Sequence, residues 1–232
     1  NNASSGGNAT VHTLDSAVWS VSNSTLSGGS AMVALVWCGS SSGAGSRFEA
    51  GRDVVWNISS SGLTDSSSFF TMQWFGASSG SNVTFEEMGG MLWDVLSTNF
   101  GSSSTFSLFS WYSLSSGSSF SLVTGSDSSI VVRDSSLSSE TYILYLLWGE
   151  RDSGHELFLS FGEKSAWEVD RSSIVDSSSM VGVAWSSMES GSDLVFKCGQ
   201  SSKWSLSNTR IFGNSNYVYI GWTGSASGNN AF

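Results

Sequence analysis

Few residue types in this chain could do covalent or metal chemistry. His12 and His155 lie far apart in the sequence, a spacing that suits solvated or hydrogen-bonded side chains better than a metal centre. Cys38 and Cys198 form no CxxC pair and allow either one bridge or two free thiols. Carboxylates are scattered, in small groupings such as Glu86–Glu87 and Glu150 with Asp152. Glycoside hydrolysis needs two carboxylates held about 5–10 Å apart across a cleft, and nothing in the sequence points to such a pair. Serine is so abundant, at 59 residues, that Ser/His/Asp combinations carry no information. The glycine-rich stretches Gly43–Ala44–Gly45 and Gly89–Gly90 read as turns rather than phosphate loops. The expectation is a protein that is not an enzyme, with no cofactor and no metal.

Tryptophan is what remains, and its spacing is informative. Trp37, Trp74, Trp111, Trp148, Trp185 and Trp222 are each 37 residues apart. Trp19, Trp56, Trp93, Trp167 and Trp204 fall on a second column of the same period, with Ile130 in its one gap. All 11 tryptophans therefore sit on two columns of one internal repeat. A Ser-Gly pair recurs with the same period, as at Ser42–Gly43, Ser79–Gly80 and Ser116–Gly117. The units run 1–37, 38–74, 75–111, 112–148, 149–185 and 186–222, and 223–232 match the start of a seventh.

Within each unit the pattern is β. Short alternating segments such as Ala166–Asp170 are separated by Gly and Ser turns. The runs Ala31–Trp37, Tyr142–Trp148 and Tyr217–Trp222 are apolar at nearly every position, which reads as strands buried on both faces. No segment sustains a 3.6-residue period with caps, so almost no helix is expected. Six four-stranded antiparallel units would close as an all-β, six-bladed β-propeller forming one domain over 1–232, with its chain ends meeting. The alternative is a β-solenoid of six coils, in which each tryptophan column becomes a ladder.

Composition limits the partners. The net charge is −10 and only 12% of residues are charged, which argues against nucleic acid and anionic membrane surfaces. No apolar run approaches the about 20 residues of a membrane-spanning helix. The start at Asn1 suggests a processed N-terminus or preceding residues, with a lean towards a secreted protein. A quarter serine with no proline is odd for a loop-rich chain, so the large residues carry the reading.

The order of tryptophan, glycine, strand, glycine, Trp-x-aliphatic and a further aliphatic resembles the tectonin repeat of the tachylectin-1 family. Trp148, Gly154, Phe161–Gly162, Trp167–Glu168–Val169 and Ile174 show it well. The apolar residues before the first tryptophan, as in Val181–Trp185, look more like the fungal fucose-lectin propellers. Both resemblances imply a carbohydrate-binding lectin with repeated, non-catalytic sugar sites and glycan partners, and a homo-oligomer is compatible with them. A sugar binds where an aromatic face meets a few fixed polar groups, and repeated weak sites act together. The Trp37 column, Trp37, Trp74, Trp111, Trp148, Trp185 and Trp222, is the expected carbohydrate site because it borders the Ser-Gly loops. The Trp19 column reads as core. A structural or assembly protein with a repeat β fold is the alternative.

Overall fold

A computed structural model describes residues 7–187, 190–191 and 193–222. Among them are 24 strands and no helix. The first coil contributes β1 (Thr10–His12), β2 (Val18–Ser22), β3 (Thr25–Leu26) and β4 (Ala31–Trp37). The same four strands recur in each later coil, and equivalent strands pair side by side in parallel, giving four six-stranded sheets. Register follows the repeat: Trp37 pairs with Trp74, Trp74 with Trp111, and Trp19 with Trp56.

The chain is therefore a β-solenoid of six coils, and the expected six-bladed propeller is wrong. In a propeller blade the strands of one unit pair with each other. Here the partners of a strand lie one coil before and one coil after it. Ser5–Gly6, Ser227–Gly228 and the rest of 1–6 and 223–232 lie outside the described residues. The meeting of chain ends expected of a ring is not what the stack supports: β1 and the strand Val195–Cys198 are the two opposite edges of one sheet.

Residue choice in the turns follows from this stacking. Each coil turns through residues in the left-handed region, such as Asn8, Asp53, Asn82, Ser119 and Asp134. Asn, Asp, Ser and Gly tolerate that conformation best. The turn N–H groups are also used between coils: Asn8 N–H donates to the Ala44 carbonyl at 2.8 Å, Asn82 to Ser118 at 2.8 Å and Ser119 to His155 at 2.7 Å. Proline can neither take a positive φ nor donate, which accounts for a loop-rich chain with none.

Serine has structural work as well. The column Ser24, Ser61, Thr98, Ser135, Ser172, Thr209 is hydroxylic in every coil. Its oxygens accept from the preceding coil, as Thr98 N–H to Ser135 Oγ at 3.0 Å and Ser135 N–H to Ser172 Oγ at 3.1 Å. The same hydroxyls donate two residues back, Ser135 to the Arg133 carbonyl at 2.7 Å. A corner with no room for water thereby has its backbone groups satisfied.

The core fills the space between the sheets. Phe48, Trp56, Phe70, Phe85, Val95 and Phe109 are among its buried members. Strands of the fourth sheet break the inside–outside alternation near their start. Phe69–Phe70, Ile143–Leu144 and Met180–Val181 each place two successive side chains in the core. This bend matters for the outer surface of that sheet.

Candidate functional site

The Trp37 column is a stack of indoles inside the solenoid. Successive ring centroids are 5.1, 4.7, 4.6, 5.1 and 5.0 Å apart, and the planes are within 9° of parallel. Trp74, Trp111, Trp148 and Trp185 have no exposed surface. Trp37 and Trp222, in the first and last coils, are partly buried. An indole covered on both faces by other indoles offers no platform to a sugar, so Trp74, Trp111, Trp148 and Trp185 belong to the interior, while Trp37 and Trp222 each stack on one indole only.

The Ser-Gly pairs are the lid on this stack. Gly80, Gly117, Gly154 and Gly191 hold φ of 60–71°. A Cβ at Gly117 would stand 2.4 Å from Trp148 Nε1 and 2.7 Å from the Trp111 ring. The glycine carbonyls receive the indole N–H groups, Trp111 to Gly80 and Trp148 to Gly117, both at 3.3 Å. Ser42 and Ser190 are buried beside them, and their hydroxyls donate to carbonyls three residues back at 2.7 and 2.6 Å.

Charge is placed elsewhere. Arg47 on the first sheet pairs with Glu49 at 2.8 Å and with Glu86, which separates two glutamates stacked one coil apart. Arg171 sits between Asp134, at 2.8 Å, and Asp170 at the next corner. The guanidinium hydrogen bond lowers the Asp134 pKa, and bonds from Ser207 and Asn208 lower that of Asp170. Glu87 is buried, yet fully satisfied: it accepts from Met91 N–H at 3.2 Å, Gly125 N–H at 2.9 Å, Ser128 Oγ at 2.5 Å and the Gly89 N–H. It is a structural brace between coils. Among the described residues no cluster of His, Cys, Asp or Glu could hold a metal ion.

The fourth sheet is different. Its six seven-residue strands carry no charged residue at all. Their inner faces form the core, but among the described residues no further layer covers their outer faces. The sequence-based expectation that these runs are buried on both faces therefore fails for the outer side. Val36 is 49% exposed and Phe75, just beyond the next strand, 45%.

A trough crosses this outer face over the fifth coil. Its floor is made of small residues, Ser179, Ala184 and Ser186. One wall is Tyr142, Tyr145 and Leu147 of the fourth coil, and the other is Asn216 and Tyr219 of the sixth. The cavity is about 430 Å³ and open to solvent, with Glu140 and Asn214 at one end. The bend at Ile143–Leu144 brings Tyr142 and Tyr145 to the same side, where their rings stack at 4.0 Å and 8°. Gly182 lies buried beneath the two rings and lets them lie down on the sheet: a Cβ there would stand 2.6 Å from Tyr142 Cδ1 and 2.9 Å from Tyr145 Cδ2.

Burial raises the pKa of Tyr145, and neighbouring Tyr142 adds to the effect. Burial also raises that of Tyr142, with Glu140 adding to it. Both phenols stay neutral through the physiological range, so each keeps an O–H to donate. The arrangement offers aromatic faces, neutral donors and acceptors, and a single carboxylate in its lining. It can hold hydroxyl-bearing, apolar-faced molecules.

Sequence reasoning missed these tyrosines by assigning the runs Tyr142–Trp148 and Tyr217–Trp222 wholly to the core. The readable signal was a tyrosine followed one repeat later by glycine, Tyr145 and Gly182. Comparison with family models, with curated proteins and with solved structures finds no match.

Proposed function

We propose that this solenoid is a carbohydrate-binding protein whose site is the trough over Gly182. The observation that carries the reading is a tyrosine-walled depression with asparagine and serine at its edges and Glu140 as its one charged group. Pyranose rings present apolar C–H faces and a rim of hydroxyls, and such ligands seat where an aromatic face meets fixed polar groups. Tyr145 and Tyr219 supply the faces, while Asn216, Ser179 and Glu140 supply hydrogen-bonding partners for hydroxyls. The binding is non-catalytic.

A glycan array probed with the wild-type chain and with a Tyr145→Ala/Tyr219→Ala variant tests this. Loss of the two rings removes stacking worth roughly 1–3 kcal/mol, so bound glycans should lose about 5- to 150-fold in affinity while the melting temperature stays near that of the wild type. Undiminished binding by the variant, or no glycan bound by the wild type, refutes the reading.

A second reading, an assembly protein, draws on a separate observation. The uncharged sheet continues past the trough to Val36, Phe75 and the nearby Leu114, which are 49%, 45% and 53% exposed. Exposed apolar patches of this kind mark protein contacts. Sedimentation of the chain with and without Val36→Glu and Phe75→Glu separates the two: an assembly that these changes dissolve, with glycan binding absent, favours the second reading.

A further inference from the structure

We infer that the trough takes a linear, extended, neutral oligosaccharide lying along the strand direction, with Tyr112 and Gly149 forming a second stacking subsite beyond its end. The inference rests on the carbohydrate reading above and adds to it the shape of the ligand and a further binding residue.

Tyr112 follows the strand Thr105–Trp111, and the inter-coil ladder continues through it. Its N–H donates to the Trp74 carbonyl at 3.0 Å, and Gly149 N–H to the Trp111 carbonyl at 2.9 Å. Alternation from the inward Trp111 and Trp148 places Tyr112 on the same outer face as Tyr145. The Tyr112 ring rests on Phe75, with centroids 5.1 Å apart and planes at 13°. On its other side the next coil has Gly149, where even an added Cβ would only touch Tyr112 Cδ1 at 3.4 Å. The ring is thus supported on one face and left open on the other, and it is 37% exposed.

The same device builds the first platform. Tyr145 is supported by Tyr142 and faces Gly182 one coil later. In both places a tyrosine is followed 37 residues on by glycine; the Tyr142 and Tyr145 rings themselves lie over Gly182, while Gly149 leaves room beside Tyr112. Elsewhere in the Tyr145 column, Thr71 is covered by Leu108 of the next coil.

The separation of the platforms selects the ligand. They differ by four residues along the strand, about 13 Å, and by one coil, about 4.8 Å, which places them about 14 Å apart. One sugar ring cannot reach both. An extended chain can, and the floor from Ser179 through Ala184 to Ser186 runs in that direction for about 23 Å. Contact at both ends makes the second stack intramolecular, so affinity rises with ligand length. With no charged residue in the sheet beneath, a neutral chain fits better than a polyanion.

The experiment is calorimetric titration of the full chain with neutral linear oligosaccharides, from mono- to hexasaccharide, in the β-1,4-glucan, β-1,3-glucan, β-1,4-mannan and chitin series. The expected result is at least a tenfold gain in affinity between the disaccharide and the longest member of the bound series. Tyr112→Ala should abolish that gain and leave the disaccharide unaffected, and Gly149→Leu, which covers the ring without removing it, should act the same way. Tyr145→Ala should weaken every length. Disaccharide and hexasaccharide binding equally, or Tyr112→Ala weakening all lengths alike, would overturn the linear-ligand inference and leave the carbohydrate reading standing. Failure of every series to bind would remove both.

Discussion

The two tryptophan columns follow the same period through the same solenoid, yet they are built differently. In the Trp37 column the indoles are nearly parallel and evenly spaced, at 4.6–5.1 Å. In the Trp19 column the spacing runs from 6.1 Å at Trp19–Trp56 to 4.5 Å at Trp167–Trp204, with tilts up to 29°. The first column is interrupted nowhere, while the second replaces one indole with Ile130. The cause lies in what surrounds each ring. The Trp37 column is roofed by backbone, the left-handed glycines whose carbonyls take the indole N–H of Trp111, Trp148 and Trp222, so ring position and tilt are set by main-chain geometry. The Trp19 column is surrounded by side chains such as Phe69, Phe106 and Phe161, which change from coil to coil and let each indole settle differently. A ladder clamped by backbone demands the same residue every time. One clamped by side chains tolerates exchange.

Substitutions can break this contrast, and the largest effect is expected in the middle of the first column. Trp111→Ala removes a fully buried ring stacked on both sides, and about 3–5 kcal/mol of stability should go with it. Denaturant unfolding followed by tryptophan fluorescence measures this, and a loss below that of an ordinary core leucine would show that the ladder adds little. Next comes the roof. Gly117→Val forces a β-branched residue to a φ of 66° and drives side-chain atoms into Trp148 and Trp111. Strain and overpacking together should cost roughly 3 kcal/mol, read as a lowered denaturation midpoint with unchanged slope. A neutral outcome would mean that the roof is soft.

Smaller effects sharpen the other side of the comparison. Ile130→Trp completes the second column, but Leu122, Leu144 and Phe161 already close around Ile130. The extra volume should overpack the site and cost about 1–3 kcal/mol; a stabilised variant would show instead that the column was waiting for its sixth indole. Trp19→Ala lies in the first coil, where the ring is only partly buried. About 1–2 kcal/mol is expected there, since part of the apolar area is already in water, and the first coil should fray before the rest, as hydrogen exchange would report.

Much of the fold was legible in the residues, and some of the site was not. Trp37 to Trp222 at a constant 37 residues announced six equivalent units, and the segments between Gly and Ser turns announced short strands. Period alone does not say what pairs with what. A propeller and a solenoid both place equivalent residues in equivalent surroundings, so the columns fit either. Pairings of opposite charge one repeat apart, Asp134 with Arg171 above all, could have favoured the solenoid, because only there do residues at that separation touch. Tyr145 and Tyr219 were hidden for a related reason. An uncharged strand reads as doubly buried, and whether a second layer covers its outer face depends on the rest of the chain.

Composition, period and the residues of each column belong to the sequence itself. They dictate an all-β repeat protein with two columns of large aromatic residues. The tertiary structure decided the rest through backbone hydrogen bonds that run from coil to coil. Those bonds turned the tryptophans inward, where stacking and the glycine roof bury Trp74, Trp111, Trp148 and Trp185 completely. They also set Tyr145 above Gly182 and Tyr112 above Gly149, contacts between residues one coil apart that exist only once each strand has taken its parallel neighbours.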